Sequence, residues 1–489
     1  MQDSKLLKTI RTTGLTLMIL GISMVPSIIV GLANNEEVLY SFCIVSAICI
    51  VLGFILHRIF KPSQLIFKTR DGFIIVTVSW LLFILIGAIP YVTSGTIPNY
   101  VDAVFESCSG FTTTGASIIN DVEGLSLSIL FWRSFTQWFS GAGIILFAMI
   151  LFPAIGISGQ ALIETKAAGR LSDRMNKRYN ELAKKLFGFY LGMTLLEIVL
   201  LKLAGLNWFD SVIHSFSTVS TGGFSNYNEG IAHFNSPLIC WIFIVFMIVA
   251  SLNYSLLFSW KSRGMVVLKK DSEFKLYFKL FFIAALAIFI DLVLQSDLQD
   301  SIFSTVTDSF FEVSSIISTT GFVNQDYTLW PLFAQMVLFC LFFIGGCSGS
   351  TASGVKVQRM LVAFRLVRRG LSLKLHPNRV STLTFDGRRL ENNVVQNITS
   401  FIFFYIVLFF LGTLLITFDD IDIISSASAV ASCLGNIGPG FNTLGPSATF
   451  AGLSYFSKSV LSVLMLAGRL EIYTLFVIFS KKYWQDNRA

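Results

Sequence analysis

The sequence predicts an all-α polytopic membrane protein. Of its 489 residues, 54% are hydrophobic and 13% are charged, a composition too apolar for a soluble protein of this length. Windows of about 20 mostly apolar residues, the length that a helix needs to cross a bilayer, recur along the chain. They predict ten helical spans: 12–32, 38–58, 72–92, 130–152, 186–206, 236–258, 276–296, 331–346, 395–417 and 458–480.

Charge placement predicts which segments lie on each side of the membrane. By the positive-inside rule, the clusters of Lys and Arg are cytoplasmic, and they lie at the two termini and in 58–70, 166–185, 261–279 and 356–389. Four acidic segments lack Lys and Arg and are predicted to face outside: 93–125, 207–235, 297–330 and 418–457. Their acidity fits either simple exclusion of positive charge or a vestibule that attracts cations. The first window leads directly into the second and has no cleavage motif, so a signal peptide is not expected.

Cysteine and histidine spacing argues against a metal centre or a disulfide framework. The seven cysteines are scattered without a CxxC pair. The four histidines are far apart and are expected at surface or interfacial positions: His57, His214, His233 and His376. An integral-membrane enzyme needs clustered His, Asp or carboxylate groups at one interface, and none is seen. We therefore predict no catalytic residues and no enzymatic activity.

An internal repeat with four copies separates the predicted spans. "DAVFESCSGFTTTGAS" (102–117) aligns without gaps to "DSVIHSFSTVSTGGFS" (210–225), to "DSFFEVSSIISTTGFV" (308–323) and, with divergence, to "SSASAVASCLGNIGPG" (425–440). A serine and a glycine keep the same register in all four copies: Ser109, Ser217, Ser315 and Ser432, and Gly115, Gly223, Gly321 and Gly438. A threonine two residues before the glycine is shared by three copies, and Asn436 replaces it in the fourth.

The four turns predict a central pore for a cation. The segment before each turn is too short to cross the bilayer but long enough for a half-helix. Irregular backbone at membrane depth survives only where it lines a cavity or is buried in protein. A half-helix that enters from outside points the negative end of its dipole at the middle of the membrane. Glycine then permits backbone angles that direct carbonyl oxygens to one side, where they can replace an ion's hydration shell.

At these residues the chain resembles the Trk/Ktr/HKT superfamily of potassium transporters, most closely its TrkH/TrkG branch. The resemblance covers nearly the whole chain and includes "WRSFTQWFSGAGI" (132–144). It implies four pseudo-symmetric M1-P-M2 repeats (helix, re-entrant pore loop, helix) around the pore, plus two extra N-terminal transmembrane helices. The implied divisions are an N-terminal pair 1–66 and pore repeats 67–165, 166–270, 271–390 and 391–489.

The resemblance also implies a selectivity filter that binds potassium ions, with no organic cofactor. Its four filter segments are Thr112–Gly115, Ser220–Gly223, Ser318–Gly321 and Gly435–Gly438. The residues expected to hold K⁺ are Thr112, Thr113, Thr114, Gly115, Ser220, Thr221, Gly222, Gly223, Ser318, Thr319, Thr320, Gly321, Gly435, Asn436, Ile437 and Gly438. Gly115 keeps the potassium-type pattern, whereas plant relatives that transport sodium carry a serine there.

The run "GGCSGSTASGVK" (345–356) predicts a break in the second helix of the third repeat, because Gly, Ser and Thr hold a helix poorly. Its glycine spacing imitates a phosphate-binding loop, but Val355 stands where that motif needs Lys and no strand precedes it. By length it could be a cytoplasmic loop just past the span. The resemblance implies an intramembrane gating loop, 345–354, that obstructs the pore. The implied gate residues are Gly345, Gly346, Gly349, Ser350, Thr351, Gly354, Lys356 and Arg469.

Arg469 is predicted from the sequence itself to be functional. It lies centrally in the last apolar window, where an ionised side chain is costly unless it faces a cavity or a partner. Glu471 is close in sequence but lies on another helix face, so the loop carbonyls are better partners. Glu197 and Lys202, in the fifth window, receive no role.

The basic, amphipathic stretch 359–380 predicts contact with anionic lipid headgroups. The resemblance adds a docking face for a TrkA-like cytosolic nucleotide-binding regulatory subunit, a homodimer of the pore subunit and a place in the bacterial cytoplasmic (inner) membrane. The function it implies is potassium uptake through a gated pore. A symporter that couples K⁺ to H⁺ or Na⁺, and a less selective K⁺/Na⁺ channel, remain alternatives.

Overall fold

Helices dominate the structure. A computed structural model describes residues 2–60, 69–155, 172–295, 301–378, 382–476 and 478. In that part of the chain the strands are limited to a small antiparallel hairpin, in which Thr384 pairs with Arg389 and Phe385 with Arg388. The predicted all-α fold is therefore confirmed.

The first half of the chain contains the N-terminal helices, two half-helices and the long helices around them. An N-terminal pair, α1 and α3, packs together, and α1 also packs on α4. The bounds are α1 Gln2–Ser23, α2 Val25–Ala33, α3 Leu39–Ile59, α4 Thr69–Gly87, α5 Ile89–Thr93, α6 Tyr100–Phe111, α7 Leu127–Ile155, α8 Ser172–Leu203, α9 Trp208–Val219, α10 Pro237–Ala250 and α11 Tyr254–Arg263.

The second half repeats the alternation of long helices and half-helices. Its bounds are α12 Val266–Lys270, α13 Ser272–Gln295, α14 Ile302–Ile317, α15 Leu332–Leu341, α16 Val357–Leu375, β1 Thr384–Phe385, β2 Arg388–Arg389, α17 Asn392–Ile416, α18 Ile423–Gly435, α19 Tyr455–Arg469 and α20 Tyr473–Phe476. The four half-helices are α6, α9, α14 and α18. A side chain caps each N-terminus by accepting a backbone N–H: Asn99, Asn207, Ser301 and Asp422.

Every predicted window coincides with a helix, but not every window is one continuous span. Within the described residues, six helices are long and apolar enough to cross a membrane, or seven if a bent pair counts as one. The windows 331–346 and 458–480 were wrong as continuous helices, because α15 ends at Leu341 and α19 ends at Arg469. Residues 477 and 479–480 of the last window, and the predicted repeat boundaries at 66/67 and 165/166, lie outside the described residues.

The window 236–258 was also wrong as a straight span. It forms α10 and α11, which meet at 98°. Asn253 starts the new helix, because its side chain accepts the backbone N–H of Leu256 at 3.2 Å. The bend leaves the carbonyls of Ala250 and Ser251 free for other donors.

The half-helices pack in a ring around one axis. α9 packs against α7, α8 and α10, and α14 packs against α10, α13 and α15. α18 lies against α17 and α19, while α19, near the C-terminus, also packs against α6 from the first repeat. The end of the chain therefore closes on its beginning, and the four repeat segments face the centre.

Candidate ion-conduction site

Each half-helix ends in the same hydrogen-bond pattern. In the first copy, Thr113 N donates to Gly110 O at 3.1 Å and Thr114 N donates to Ser109 O at 2.9 Å. This pair of bonds is the Schellman termination, which normally needs a glycine in the left-handed conformation. The second bond, which spans five residues in sequence, recurs in the other copies: Gly222 N donates to Ser217 O, Thr320 N to Ser315 O and Ile437 N to Ser432 O.

The residue in that left-handed position is not glycine in any copy. Thr113, Thr221, Thr319 and Asn436 have φ of 51°, 56°, 58° and 54°. A β-branched residue with positive φ is rare, and such strain costs of order 1–3 kcal/mol at each of the three threonines, whereas asparagine tolerates this region better. Its recurrence at four equivalent positions indicates that the backbone conformation itself is required.

A glycine with positive φ follows two residues later in each copy. Gly115, Gly223, Gly321 and Gly438 have φ of 87°, 79°, 75° and 116°. These angles suit a strand that turns its carbonyl oxygens to one side. The predicted register of the repeat is therefore visible in the backbone.

The four filter segments close into a ring. A Cβ atom built on Gly115 would lie 2.5 Å from Gly222 O, and one on Gly438 would lie 2.7 Å from Thr114 O. A Cβ on Gly223 would strike Thr320 O, and one on Gly321 would strike Ile437 O. Each glycine thus faces a carbonyl of the next segment, in the order first, second, third, fourth and back to first. All the residues of the segments are buried except Gly115 and Gly223, which are half-buried.

Side chains from neighbouring elements hold the filter segments. Gln137 Nε2 donates to Gly222 O at 2.6 Å, and Phe224 N donates to Gln137 Oε1 at 3.3 Å. Asn436 Nδ2 donates to Thr114 Oγ1 and to Met465 O, both at 2.9 Å, so it joins the fourth segment to the first. The sequence prediction had missed Gln137, although it lies within the quoted stretch 132–144.

A buried ion pair, also missed, braces the segment beyond the first filter turn, where Glu106 Oε2 accepts the backbone N–H of Ile118 at 3.0 Å. Arg133 Nε donates to Glu106 Oε1 at 2.9 Å, and both side chains are almost fully buried. Arg133 Nη1 also donates to Ser225 O at 3.1 Å, and its guanidinium lies 4.2 Å from the centre of the Phe224 ring. The signal was available, because a charged residue within an apolar window is a functional candidate by the argument applied to Arg469.

The residues equivalent to Glu106 in the second and third copies, His214 and Glu312, make similar contacts. Glu312 Oε1 accepts Asn324 N at 2.8 Å, and His214 Nε2 lies 3.1 Å from Ser225 Oγ. Each of these groups holds backbone or side chain just after its filter turn. His214 is fully buried, so its predicted surface or interfacial position was wrong.

A cavity of about 170 Å³ lies above the filter glycines. Residues of all four repeats line it, including Gly115, Gly223, Gly321 and Pro439. Its described lining contains Arg133 but no carboxylate. Several acidic residues of the outer segments instead bond locally; Asp210, for example, accepts from Tyr227 Oη at 2.8 Å. Some of the acidic residues in these segments therefore stabilise local structure.

The predicted gating loop, residues 345–354, interrupts the third repeat between α15 and α16. Gly345 N donates to Val355 O at 2.9 Å, and Val357 N donates to Gly346 O at 3.2 Å, so its ends are paired. Gly349 and Gly354 have φ of 77° and 71°. The helix break predicted for this segment is present.

The loop lies against the inner ends of the filter. Ser353 N donates to Thr319 Oγ1 of the third filter segment at 2.9 Å. Thr351 Oγ1 contacts Val219 O, next to the second segment, at 3.2 Å and Ala250 O at 3.0 Å. The free carbonyls at the α10–α11 bend are thus used by the loop, since Cys347 N also donates to Ser251 O at 2.8 Å.

Two basic side chains of the predicted gate contact the loop. Arg469 Nη1 donates to Thr351 O at 2.8 Å and to Ser353 Oγ at 2.9 Å, and the residue is 3% exposed. Lys356 Nζ donates to Ala352 O. Arg469 is the last residue of α19 rather than the centre of a span, because Glu471 and Ile472 adopt φ of 58° and 45° and break the helix.

Glu471, considered above as a partner of Arg469, and the two residues that the sequence left without a role have different surroundings. Glu471 pairs with Arg359, not with Arg469. Lys202 Nζ donates to Leu206 O at 3.2 Å beyond the end of α8. Glu197 is fully buried beside Thr218, and neither of its carboxylate oxygens meets hydrogen-bond geometry with a described residue.

Comparison with known proteins decides the family. The sequence model of the TrkH family, described as a cation transport protein, matches residues 39–489. The chain belongs to the TrkH family. TrkH of Salmonella typhimurium, named a Trk system potassium uptake protein, is 34% identical over 481 residues, which cover 97% of this chain and 99% of that protein. TrkG of Escherichia coli K12, with the same description, is 31% identical over 476 residues and 97% of each chain.

The fold matches a solved member of the TrkH family. The crystal structure of the potassium transporter TrkH from Vibrio parahaemolyticus superposes with a TM-score of 0.89 at 33% sequence identity. The match covers 98% of this chain and 99% of that one. The sequence resemblance to the TrkH/TrkG branch is therefore confirmed.

Proposed function

We propose that this chain is the membrane subunit of a potassium-uptake system and conducts K⁺ through the ring of filter segments. The ions bind the backbone carbonyls of Thr112–Gly115, Ser220–Gly223, Ser318–Gly321 and Gly435–Gly438. Its relatives match it over nearly their full length and are named potassium-uptake proteins, which supports the same transported ion here. The protein resides as a multi-pass protein in the bacterial cytoplasmic membrane.

The ring of glycines carries the proposal. Four segments with the same pair of positive-φ residues meet around one axis, and each packs its glycine on a carbonyl of the next. If the re-entrant turns only packed against one another, threonine or asparagine would not have to adopt the left-handed conformation in all four copies. Carbonyl rings of this kind substitute for the hydration shell of a cation, and the half-helix dipoles favour positive charge at the same place.

The gating loop is proposed to close the pathway below the filter. It contacts the filter ends of the second and third repeats through Val219 and Thr319. The Arg469 guanidinium, buried against the loop, adds a positive charge that opposes a cation. Loop and Arg469 then form one gate, together with Lys356, which bonds within the loop.

Two partners are proposed for the cytoplasmic face. α16 is amphipathic, and its apolar side chains Phe364, Val367 and Leu371 are exposed while Arg368 and Lys374 flank them. Such a face suits anionic lipid headgroups and a protein partner. We assign to this side a TrkA-like cytosolic nucleotide-binding regulatory subunit, with the membrane subunit as a homodimer.

Rubidium uptake by the purified protein in liposomes tests the proposed transport. Radioactive rubidium should enter protein-containing vesicles along an imposed cation gradient, and external K⁺ should compete more strongly than Na⁺. Uptake no faster than in protein-free vesicles, with correctly folded protein present and the gate opened by the shortened loop described below, would contradict the proposal.

Proton-coupled symport is a second candidate, favoured by Glu197. A buried carboxyl without hydrogen-bond geometry to a described residue is costly to ionise and can carry a proton. Rubidium flux measured with and without an imposed pH gradient, at equal membrane potential, separates the two mechanisms. A flux that follows the pH gradient and loses this dependence in Glu197→Gln supports symport, whereas equal fluxes support a passive pathway.

A further inference from the structure

The first turn of α13 contacts both ends of the gating loop. Glu273, its second residue, is 4% exposed. Its Oε1 atom accepts the backbone N–H of Ser348 at 2.6 Å and that of Gln358 at 3.2 Å. Ser348 lies in the first half of the loop and Gln358 in the first turn of α16. One carboxylate oxygen therefore ties together the two chain segments that flank residues 349–354.

The position of Glu273 also completes the N-terminus of α16. The N-cap residue of this helix is Lys356, whose side chain cannot accept a backbone N–H and makes no capping bond. The first N–H groups of a helix need acceptors, and a negative charge is favoured there by the helix dipole. Glu273 supplies both from a different helix, so α16 and the loop are held in place relative to α13.

We propose that Glu273 is a positioning residue that latches the gating loop in its closed position from the cytoplasmic side. It acts on other residues of the loop than Arg469 does, because Arg469 bonds to Thr351 and Ser353. The proposal rests on the gate described above. Releasing the latch frees Ser348 and the start of α16 together, which lets residues 349–354 leave the pathway.

The same turn of α13 is bonded to the cytoplasmic hairpin. Asp386 Oδ1 accepts the backbone N–H of Ser272 at 3.2 Å. Arg365 of α16 donates to Thr384 O at 2.7 Å and to Ser272 Oγ at 3.2 Å. A displacement of the hairpin therefore reaches Glu273 through its neighbour Ser272, which gives the latch a route of release from the cytoplasm.

The buried thiol of Cys347 provides a readout of the loop that is independent of flux. Cys347 adjoins Ser348 and is 2% exposed. A thiol reagent applied from the cytoplasmic side should modify Cys347 slowly in the wild type, because the closed loop covers it. Modification at this one residue is measured by peptide mass spectrometry, so the other cysteines can stay in place.

Glu273→Gln tests the latch in full-length protein in liposomes. The amide keeps the shape but loses the charge, and charge-assisted bonds are roughly twice as strong as neutral ones, so we expect rubidium leak and Cys347 modification to rise about fivefold. The sodium to rubidium ratio should not change, because the filter is untouched. Glu391→Gln is the matched control, since Glu391 is exposed, lies at a helix N-terminus and makes no side-chain cap bond.

Glu273→Asp keeps the proposal testable if the Gln variant does not fold. Aspartate retains the charge but is one methylene shorter, so leak and modification should lie between those of wild type and Gln. Unchanged leak and unchanged Cys347 modification in a folded Glu273 variant would overturn the latch. If Arg469→Gln raises the leak in the same assay while the Glu273 variants do not, the latch fails and the proposed gate stands. If neither residue affects the leak, the gate itself is wrong.

Discussion

At the scale of single residues, the proposed filter depends on backbone angles that its side chains do not favour. Thr113, Thr221 and Thr319 are β-branched yet left-handed, and Asn436, a residue that tolerates this region better, stands in the fourth copy. The strain is offset by the two hydrogen bonds that end each half-helix. The filter geometry is therefore imposed by the helices behind it.

Gly115→Ser should admit more sodium relative to rubidium. The added side chain meets Gly222 O, which lies 2.5 Å from the position of a Cβ atom. The displaced carbonyl should lower the rubidium to sodium flux ratio by roughly tenfold, the effect of about 1.4 kcal/mol. Gly95→Ser is the matched control, because Gly95 has a φ of 75° and nothing within 4 Å of its Cβ position. An unchanged ratio in Gly115→Ser would count against this filter assignment.

Thr319→Val should loosen the gate from the filter side. Valine keeps the shape and backbone preference of threonine but leaves the Ser353 N–H without its acceptor. An unpaired buried N–H costs about 1–3 kcal/mol, so the closed loop is destabilised and rubidium leak rises at least about fivefold. Thr113→Val is the control, because Thr113 has the same backbone angle and a hydroxyl without a partner among the described residues. Equal leak in both variants would show that the Thr319 contact does not hold the gate.

At the scale of elements, three broken helices meet at the proposed gate. The breaks lie between α10 and α11, between α15 and α16, and between α19 and α20. Each break leaves backbone carbonyls free, whereas a continuous helix would bond them internally. The loop between α15 and α16 bonds to Ala250 and Ser251 at the first break, while Arg469 at the third break bonds to the loop. Discontinuous helices thus supply both the loop that is proposed to obstruct the pore and the groups that hold this loop in place.

Shortening residues 348–353 and replacing Arg469 by Gln should each raise rubidium flux. The first change removes the obstruction, and the second removes a buried positive charge and part of the loop's anchorage. Because both act on one element, the double variant should raise flux by less than the sum of the two effects on barrier energy. A double-mutant cycle measures this coupling. Strictly additive effects would show that the loop and Arg469 act independently. A shortened protein that folds but has unchanged flux would contradict obstruction of the pore by the loop.

At the scale of the whole molecule, contacts between repeats hold the four predicted filter segments in a ring. Arg133 and Gln137 of the first repeat hold the filter region of the second, and Asn436 of the fourth holds Thr114 of the first. On the outer side, Lys458 pairs with Asp102 at 2.7 Å and joins α19 to α6. The ring is therefore closed by side chains as well as by packing.

Arg133→Gln should destabilise the folded protein strongly. It leaves Glu106 buried without its charged partner, a change that costs about 3–5 kcal/mol. Thermal unfolding in detergent should show this loss, and Glu106→Gln in the same chain should recover part of it by removing the unpaired charge. Arg368→Gln, at an exposed position of α16, should change the stability by less than about 0.5 kcal/mol. A melting temperature of Arg133→Gln equal to that of Arg368→Gln would contradict the brace.

The sequence predicted the fold class, the repeat and the helix break at 345–356 because each is written in local composition and spacing. It missed partners that meet only in space: Glu273 lies 75 residues from Ser348, and Gln137 lies 85 residues from Gly222. The break after Arg469 was missed because Glu471 and Ile472 are not residues that normally end a helix. The order in which each filter glycine meets the next carbonyl follows from ring closure, which no single segment encodes.

Anomalous diffraction from crystals grown in rubidium shows whether the predicted filter segments bind ions. If the four filter segments form an ion-binding ring, anomalous peaks should lie on the axis among the carbonyls of Thr112–Gly115, Ser220–Gly223, Ser318–Gly321 and Gly435–Gly438. Crystals grown in sodium with rubidium omitted serve as the control and should lack these peaks. Rubidium peaks confined to other parts of the molecule, in a protein that takes up rubidium in liposomes, would show that these segments are not the ion-binding filter.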